Sequence, residues 1–252
     1  MSRELLQTTH YQLQTPPMSG HSKWATTKRA KSVTDAKRSN LFTKLSKNIT
    51  VAAKDGANPE MNSRLRIAVD KAKAVSMPKD NIERAIARGA GTDGGAALEN
   101  ALYEAYGPEG VAIIIETVSD NKNRTVSNIK GILNKHNGSL GTSGGVLWQF
   151  ERKGIITVAL PISDDQELEL IDWGADDILR HEDVAEIICH AELTDNLKHK
   201  IQADAQFHFQ DATVTYRAKD LIVPKDAEKI ISLLDALEDD EDVDTVSTNA
   251  DV

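Results

Sequence analysis

The 252-residue sequence contains one cysteine, Cys189, and no run of eighteen consecutive apolar residues. A single cysteine excludes an internal disulfide and a multi-cysteine zinc site, and it is typical of a reducing compartment. Without a long apolar run the sequence predicts no membrane-spanning helix. We therefore expect a cytoplasmic protein. Its 40% hydrophobic residues are enough to build folded cores.

The sequence also lacks a recognisable catalytic or metal-binding arrangement. The glycine-rich stretch 138–145 has no Gly-Lys-Ser/Thr ending, so it favours a flexible turn over a phosphate loop. His181 has no second histidine at the spacing of a zinc protease, and Cys189 and His190 point to opposite faces of a predicted strand. The acidic run 238–242 is interpreted as a solvated turn, with mimicry of nucleic acid as the alternative. We expect no catalytic residue, no metal and no cofactor.

Acidic residues are scarce in one part of the chain. Residues 20–90 hold 16 Lys/Arg against 6 Asp/Glu, a net charge of +10, whereas residues 91–252 hold 13 against 32, a net charge of −19. Because a polyanion responds to the local field rather than to the total charge, this segregation predicts that the basic part contacts phosphate groups. The alternative is a set of solvated lysines on exposed helix faces, although such faces usually mix both signs.

The sequence of the basic part, residues 20–90, predicts a helical bundle. A partly ordered basic arm is expected up to Arg38, followed by three helices whose apolar residues recur at intervals of three and four. Asn62 suits the N-cap of the second helix, and Gly89 suits the C-cap of the third. The preceding residues have no pattern and are expected to be disordered. Since the patterned sequence begins directly after Met18, we hypothesise that translation starts there.

After residue 95 the pattern changes to mixed helices and strands. The apolar run 111–115 predicts a buried strand, and 146–150 and 154–160 predict two strands joined by a short turn at 152–154. From 154 to 217 the predicted order is βαββαβ, as in ferredoxin-like domains. The sequence therefore predicts an α+β fold of three domains. Their limits are a disordered extension at 1–17, a basic helical bundle at 18–90, an α+β domain at 91–153 plus 218–252, and an inserted ferredoxin-like domain at 154–217.

Several strings between Met18 and about Asn249 are specific enough to indicate a family. They include Gly-His-Ser-Lys-Trp at 20–24, Met-Pro-Lys-Asp-Asn-Ile-Glu-Arg-Ala-Ile at 77–86, Tyr-Gly-Pro at 106–108 and Leu-Gly-Thr at 140–142. They closely resemble the YebC/PmpR family, which is also similar to a mitochondrial translational activator of a cytochrome oxidase subunit. The resemblance implies the same three domains. It also implies a non-enzymatic cytoplasmic regulator, either a DNA-binding transcriptional regulator or a factor that acts in translation at the ribosome.

We expect a nucleic-acid-binding regulator of gene expression, and by resemblance one that binds DNA. The first alternative is a ribosome-associated translation factor that binds ribosomal or transfer RNA, and the second is a protein–protein adaptor. Charge does not separate DNA from RNA, and Trp24 either stacks on a base or anchors the bundle. The residues predicted to bind nucleic acid are Lys23, Trp24, Lys28, Arg29, Lys31, Lys37, Arg38, Lys44, Lys47, Lys79, Arg84 and Arg88.

Overall fold

The computed structural model describes residues 35–92 and 97–252, with only the backbone at residues 35–37. The predicted extension, the hypothesised start at Met18 and most of the basic arm lie outside the described residues. So do five of the residues predicted to bind nucleic acid, which are Lys23, Trp24, Lys28, Arg29 and Lys31. Within the described ranges, seven α-helices and eight strands form a helical domain and two antiparallel sheets.

Three helices make up the first domain: α1 (Asp35–Ala53), α2 (Ser63–Ala74) and α3 (Lys79–Gly89). Their apolar stripes meet in one core that buries Leu45, Ile49 and Leu65, as the intervals of three and four predict. The side chain of Asn62 caps α2 by accepting a hydrogen bond from the Leu65 N–H at 3.0 Å, which confirms the predicted cap. Its amide also donates to the Ala52 carbonyl at 2.7 Å and so joins the end of α1 to the start of α2.

Two predictions for this domain are wrong. Residues 35–38 already belong to α1 and are not part of an irregular arm. Gly89 lies in the last turn of α3, whose C-cap is Ala90. A Cβ atom at Gly89 would lie 2.2 Å from the Thr50 carbonyl oxygen and 2.6 Å from Ala53 Cβ. Gly89 is therefore needed because α1 and α3 pack backbone against backbone, which a local pattern does not reveal.

The remaining chain alternates helices and strands. In order it forms β1 (Glu99–Tyr106), β2 (Ala112–Ser119), α4 (Lys122–Lys135), β3 (Ser139–Leu140), β4 (Phe150–Ala159), α5 (Asp164–Asp172), β5 (Ala175–Arg180), β6 (Val184–His190), α6 (Thr194–Ala203), β7 (Phe209–Ala218), α7 (Ala227–Glu238) and β8 (Val243–Thr248). The first sheet has the order β3-β1-β2-β8, so its strands come from both ends of this region. Helices α4 and α7 pack on it over a core that includes Ile113, Ile129 and Leu233. The buried strand predicted at 111–115 is confirmed as β2.

The second sheet has the order β5-β6-β4-β7, and together with α5 and α6 it is ferredoxin-like. Its core buries Ile156, Leu170 and Leu197. The fold is thus α+β with three domains, the third inserted into the second, as predicted. The predicted residue limits of the domains stay a prediction. The strands at the two ends of the inserted domain are slightly longer than those limits, because β4 begins at Phe150 and β7 ends at Ala218.

The turn predicted at 152–154 does not exist. These residues lie inside β4, which pairs continuously with β7 from Phe150 opposite Ala218 to Thr157 opposite Asp211. Residues 147–149 form a short 3-10 turn, so the strand predicted at 146–150 is also wrong. Gly154 looked like a turn residue, but a Cβ atom there would lie 2.0 Å from Thr194 Oγ1. The glycine lets the start of α6 approach the sheet.

The contact at Gly89 yields a stability prediction. We expect Gly89→Ala to lower the free energy of unfolding by about 3 kcal/mol, at the upper end of overpacking costs, because the nearest atoms are backbone. Urea denaturation followed by circular dichroism measures this.

The control is Gly131→Ala in α4, where a Cβ atom would meet nothing within 4 Å. Alanine has the higher helix propensity, so this change is expected to raise stability by about 0.5–1 kcal/mol. Equal effects of the two substitutions would contradict the proposed packing of α1 against α3.

Candidate nucleic-acid interface

The structure divides the predicted nucleic-acid-binding residues into two groups. Lys44 and Lys47 of α1 face the second domain and contact it. The others whose side chains are described lie exposed on α1 and α3, and they are Arg38, Lys79, Arg84 and Arg88. Lys37 belongs to α1, but the described structure includes only its backbone.

Lys44 and Lys47 contact the acidic turn between α7 and β8. Lys47 Nζ lies 2.6 Å from Asp242 Oδ1 and 2.8 Å from the Glu241 carbonyl oxygen, and Lys44 Nζ donates to the Glu238 carbonyl oxygen. The interpretation of 238–242 as a solvated turn is therefore wrong, since Asp242 is 1% exposed. The basic face of α1 thus meets the side-chain carboxylate of Asp242 and the main-chain oxygens of Glu238 and Glu241.

Two asparagines extend this contact along α1. The side-chain amide of Asn40 donates to the Asp239 carbonyl oxygen at 2.6 Å, and that of Asn48 donates to Asp244 Oδ1 at 2.7 Å. The last carbonyls of a helix lack intrahelical donors, and here side chains of α1 donate to the Glu238 and Asp239 carbonyls. We call this set the interdomain contact. It comprises Asn40, Lys44, Lys47 and Asn48 of α1 with the turn 238–244.

Asp242 lies at the centre of the interdomain contact. Besides Lys47, its carboxylate accepts hydrogen bonds from Arg124 Nη2 at 3.1 Å and from Thr125 Oγ1 at 2.9 Å, both at the start of α4. Its main-chain oxygen accepts from the Val118 N–H at 2.9 Å. Burial opposes the charge of this carboxylate, but Lys47 and Thr125 together hold its pKa below the ordinary value. One buried charge thus joins the helical domain, α4 and the first sheet.

The exposed cations of the first domain have few competing partners. The side chains of Arg38 and Arg88 make no hydrogen bond or ion pair within residues 35–92 and 97–252. Arg84 bonds only to its own helix, where Nε donates to the Asp80 carbonyl oxygen at 3.2 Å. Lys79 pairs with Glu83 at 3.3 Å, but both side chains are mostly exposed, so this pair is weak. These side chains are free to contact phosphate.

Two of the five cations of this domain that were not among the predicted contacts are also available. Arg66 and Lys73 of α2 have no ion-pair partner in the described part of the chain. Both lie off the apolar stripe of α2, so their positions were readable from the sequence. The available signal was the net charge of the domain, which does not say which side chains are engaged elsewhere.

The glycine-rich stretch binds a carboxylate of the protein itself. Glu104 of β1 is 5% exposed and accepts hydrogen bonds from the N–H groups of Gly144 at 2.6 Å, Val146 at 2.6 Å and Leu147 at 2.8 Å. Burial opposes its charge, yet the three donors hold the pKa of Glu104 below the ordinary value. The turn is therefore fixed at these three donors, and they are not free to hold a phosphate.

A cleft of 480 Å³ lies between the helical domain and the two sheets. Its lining includes Arg64, Lys71 and Arg152 but also Glu116 and Asp244, so its charges are mixed. Burial, with Asp244 nearby, raises the pKa of Glu116. This lining gives phosphate no clear advantage, and we place the cleft outside the candidate interface.

The described ranges contain no helix that is both long and apolar enough to cross a lipid bilayer. Within the same ranges, no three His, Cys, Asp or Glu side chains are grouped so that they could hold a metal ion.

The fold and the charge distribution define a class: a basic three-helix domain docked on an acidic α+β core with an inserted ferredoxin-like domain. Residues 22–92 match the family model described as "TACO1/YebC protein N-terminal domain", and residues 98–250 match "TACO1/YebC second and third domain". The chain belongs to the TACO1/YebC family, which confirms the resemblance seen in the sequence.

Relatives agree over nearly the whole length. The chain is 46% identical over 243 residues to a "Probable transcriptional regulatory protein" of Chloroflexus aggregans, covering 93% of this chain and 96% of that protein. A protein of the same name from Pelodictyon phaeoclathratiforme is 45% identical with the same coverage. The crystal structure of a conserved hypothetical protein, Aq1575, from Aquifex aeolicus is also similar. Its TM-score is 0.78 at 40% identity, covering 86% of this chain and 91% of that one.

The buried charge of Asp242 yields the second stability prediction. We expect Asp242→Asn to lower the free energy of unfolding by about 2–3 kcal/mol, since Lys47 and Arg124 lose their anionic partner. The loss is smaller than for a fully buried pair because Arg124 is 47% exposed. Glu241→Gln removes the same charge from the neighbouring exposed position and is expected to change stability by less than about 0.5 kcal/mol. Chemical denaturation of both variants checks this.

The lowered pKa of Asp242 determines how the stability difference between wild type and Asp242→Asn depends on pH. Asp242 has a lowered pKa in the folded state, so its contribution is complete above the ordinary carboxyl pKa and disappears as the pH falls through the lower folded value. The stability gap between wild type and Asp242→Asn should be constant near neutral pH and shrink below about pH 4. A gap that widens on acidification would contradict the assignment.

Proposed function

We propose that the protein is a non-enzymatic regulator of gene expression that binds nucleic acid through its helical domain. The observation that carries this is the set of exposed cations on α1 and α3 that have no strong partner, Arg38, Arg84 and Arg88, on the one basic domain of an otherwise acidic chain. The relatives named "Probable transcriptional regulatory protein" support a role in regulation.

The proposed interface is smaller than the charge of the domain suggests. Lys44 and Lys47 are engaged in the interdomain contact, so we leave them out of the interface. Arg84 and Arg88 lie four residues apart and therefore share one face of α3. Arginine side chains on a helix face contact phosphates without reading bases, which gives affinity rather than sequence specificity.

A second candidate is a translation factor that binds ribosomal RNA. The interdomain contact favours it, because the acidic domains are held beside the basic one and accompany it to any nucleic acid. Those acidic surfaces would be repelled by a bare duplex, which presents phosphates along its whole length. An RNA surface within a ribonucleoprotein would let the basic domain reach phosphate while the acidic domains meet protein.

The test removes two positive charges from α3 in the full-length protein. We expect Arg84→Gln combined with Arg88→Gln to weaken binding to the nucleic-acid target about tenfold and to lower the salt slope by about 2, one for each lost phosphate contact. Fluorescence anisotropy with duplex DNA and with RNA of the same sequence, at several salt concentrations, measures both quantities. Co-sedimentation with purified ribosomes tests the second candidate.

The matched control neutralises two exposed lysines of α4, Lys130→Gln with Lys135→Gln, and leaves binding unchanged if the interface is on the helical domain. Loss of ribosome binding in the α3 variant alone, with weak DNA binding throughout, would favour the translation factor. If the α3 variant binds all three targets like wild type, the proposed interface is wrong.

A further inference from the structure

Helix α5 of the ferredoxin-like domain exposes two large apolar side chains. Leu168 is 62% exposed and Ile171 is 54% exposed, whereas Leu170, on the other side of the helix, is fully buried. Residues three apart on a helix share a face, so the two exposed side chains are neighbours. Isolated surface leucines are ordinary, but this pair has unusual surroundings.

In the sequence the charged residues around this pair are all acidic, although Arg180 of β5 lies beside the helix in the fold. Residues 163–179 contain no lysine or arginine and seven acids, which are Asp164, Asp165, Glu167, Glu169, Asp172, Asp176 and Asp177. Four of these acids are paired: Asp164 and Glu167 lie near Arg180, Asp176 pairs with Lys153, and Asp177 faces Arg217. Asp165 and Asp172 are exposed and Glu169 is half-buried, and none of the three has an ion-pair partner within 35–92 and 97–252.

The three unpaired acids lie on one side of Leu168, and Ile171 lies on the other side. Positions 165, 168, 169 and 172 follow the spacing of three and four residues that places side chains on one side of a helix. Asp165 lies in the first turn, where the positive end of the helix favours acids. Glu169 and Asp172 lie toward the negative end, which has no basic residue, and they repel each other at a spacing of three. Their charge therefore does not serve the helix itself.

We propose that this face of α5 binds a lysine- or arginine-rich segment of a partner protein that also carries an apolar side chain. Cations of the segment would meet Glu169, Asp172 and the negative end of the helix, and its apolar side chain would cover Leu168 and Ile171. Nucleic acid does not fit, because carboxylates repel phosphates. The surface lies on a different domain from the proposed nucleic-acid interface, so each can fail without the other.

The test uses the full-length protein and a short fluorescent peptide of lysines and leucines at helical spacing. We expect Leu168→Ser with Ile171→Ser, and separately Glu169→Gln with Asp172→Asn, to weaken peptide binding about tenfold in fluorescence anisotropy. A peptide with serine in place of leucine should bind wild type about as weakly. The Leu168→Ser, Ile171→Ser variant should bind the duplex DNA and the RNA used to test the proposed function with the same affinity as wild type.

Matched controls make the same chemical changes elsewhere. Val223→Ser removes an apolar side chain that is 76% exposed, and Glu182→Gln with Asp183→Asn removes two adjacent exposed acids from the turn after β5. The peptide affinity of both control variants should stay within about twofold of the wild-type affinity. Equal weakening by the controls, or no weakening by the α5 variants, overturns the proposal.

Two further measurements exclude other occupants of this face. A dimer in sedimentation velocity that disappears in the Leu168→Ser, Ile171→Ser variant would assign the face to a second copy of the chain and overturn the proposal. Tighter peptide binding by a full-length Lys28→Glu, Arg29→Glu variant would mean that the chain's own basic segment competes for the face, which also overturns it. We expect a monomer and an unchanged peptide affinity.

Discussion

The buried carboxylate of Asp242 sets the arrangement of the domains. A charge that is 1% exposed is costly to bury unless donors surround it, and the donors of Asp242 come from different parts of the chain. Lys47 belongs to the helical domain, whereas Arg124 and Thr125 belong to α4. Because hydrogen bonds to a carboxylate have defined directions, these donors fix the orientation of the domains as well as their proximity.

This contact changes the electrostatics of the basic domain. Lys44 and Lys47 are engaged by the acidic turn, so among the described residues the cations that remain available lie on α3, on α2 and at the start of α1. A net charge counted from the sequence overstates the surface that can meet a polyanion. The joint between domains of opposite sign is also where their attraction is strongest, since burial weakens screening by salt.

Local patterns predicted local structure well. The apolar spacing of the bundle, the cap at Asn62 and the βαββαβ order all depend on neighbours within a few residues, and all are confirmed. Strand β1 was missed because its exposed and half-buried residues carry no continuous apolar run. Gly89 was wrongly predicted as a helix C-cap and Gly154 as a turn residue, because the residues they pack against are distant in the sequence. Of the candidate site, the sequence identified the basic domain, but not which lysines dock on a turn 195 residues away.

The acids of this protein fall into two kinds that look alike in sequence. The run 238–242 and the acids of α5 are both dense and both lack nearby lysine or arginine in sequence. In the folded chain the first group meets donors from α1 and α4, and its central carboxylate is buried. Three acids of the second group meet no cation in the described structure and lie beside exposed apolar side chains. An acidic group that the fold itself neutralises has a structural role, whereas one left beside exposed leucine and isoleucine is available to a partner.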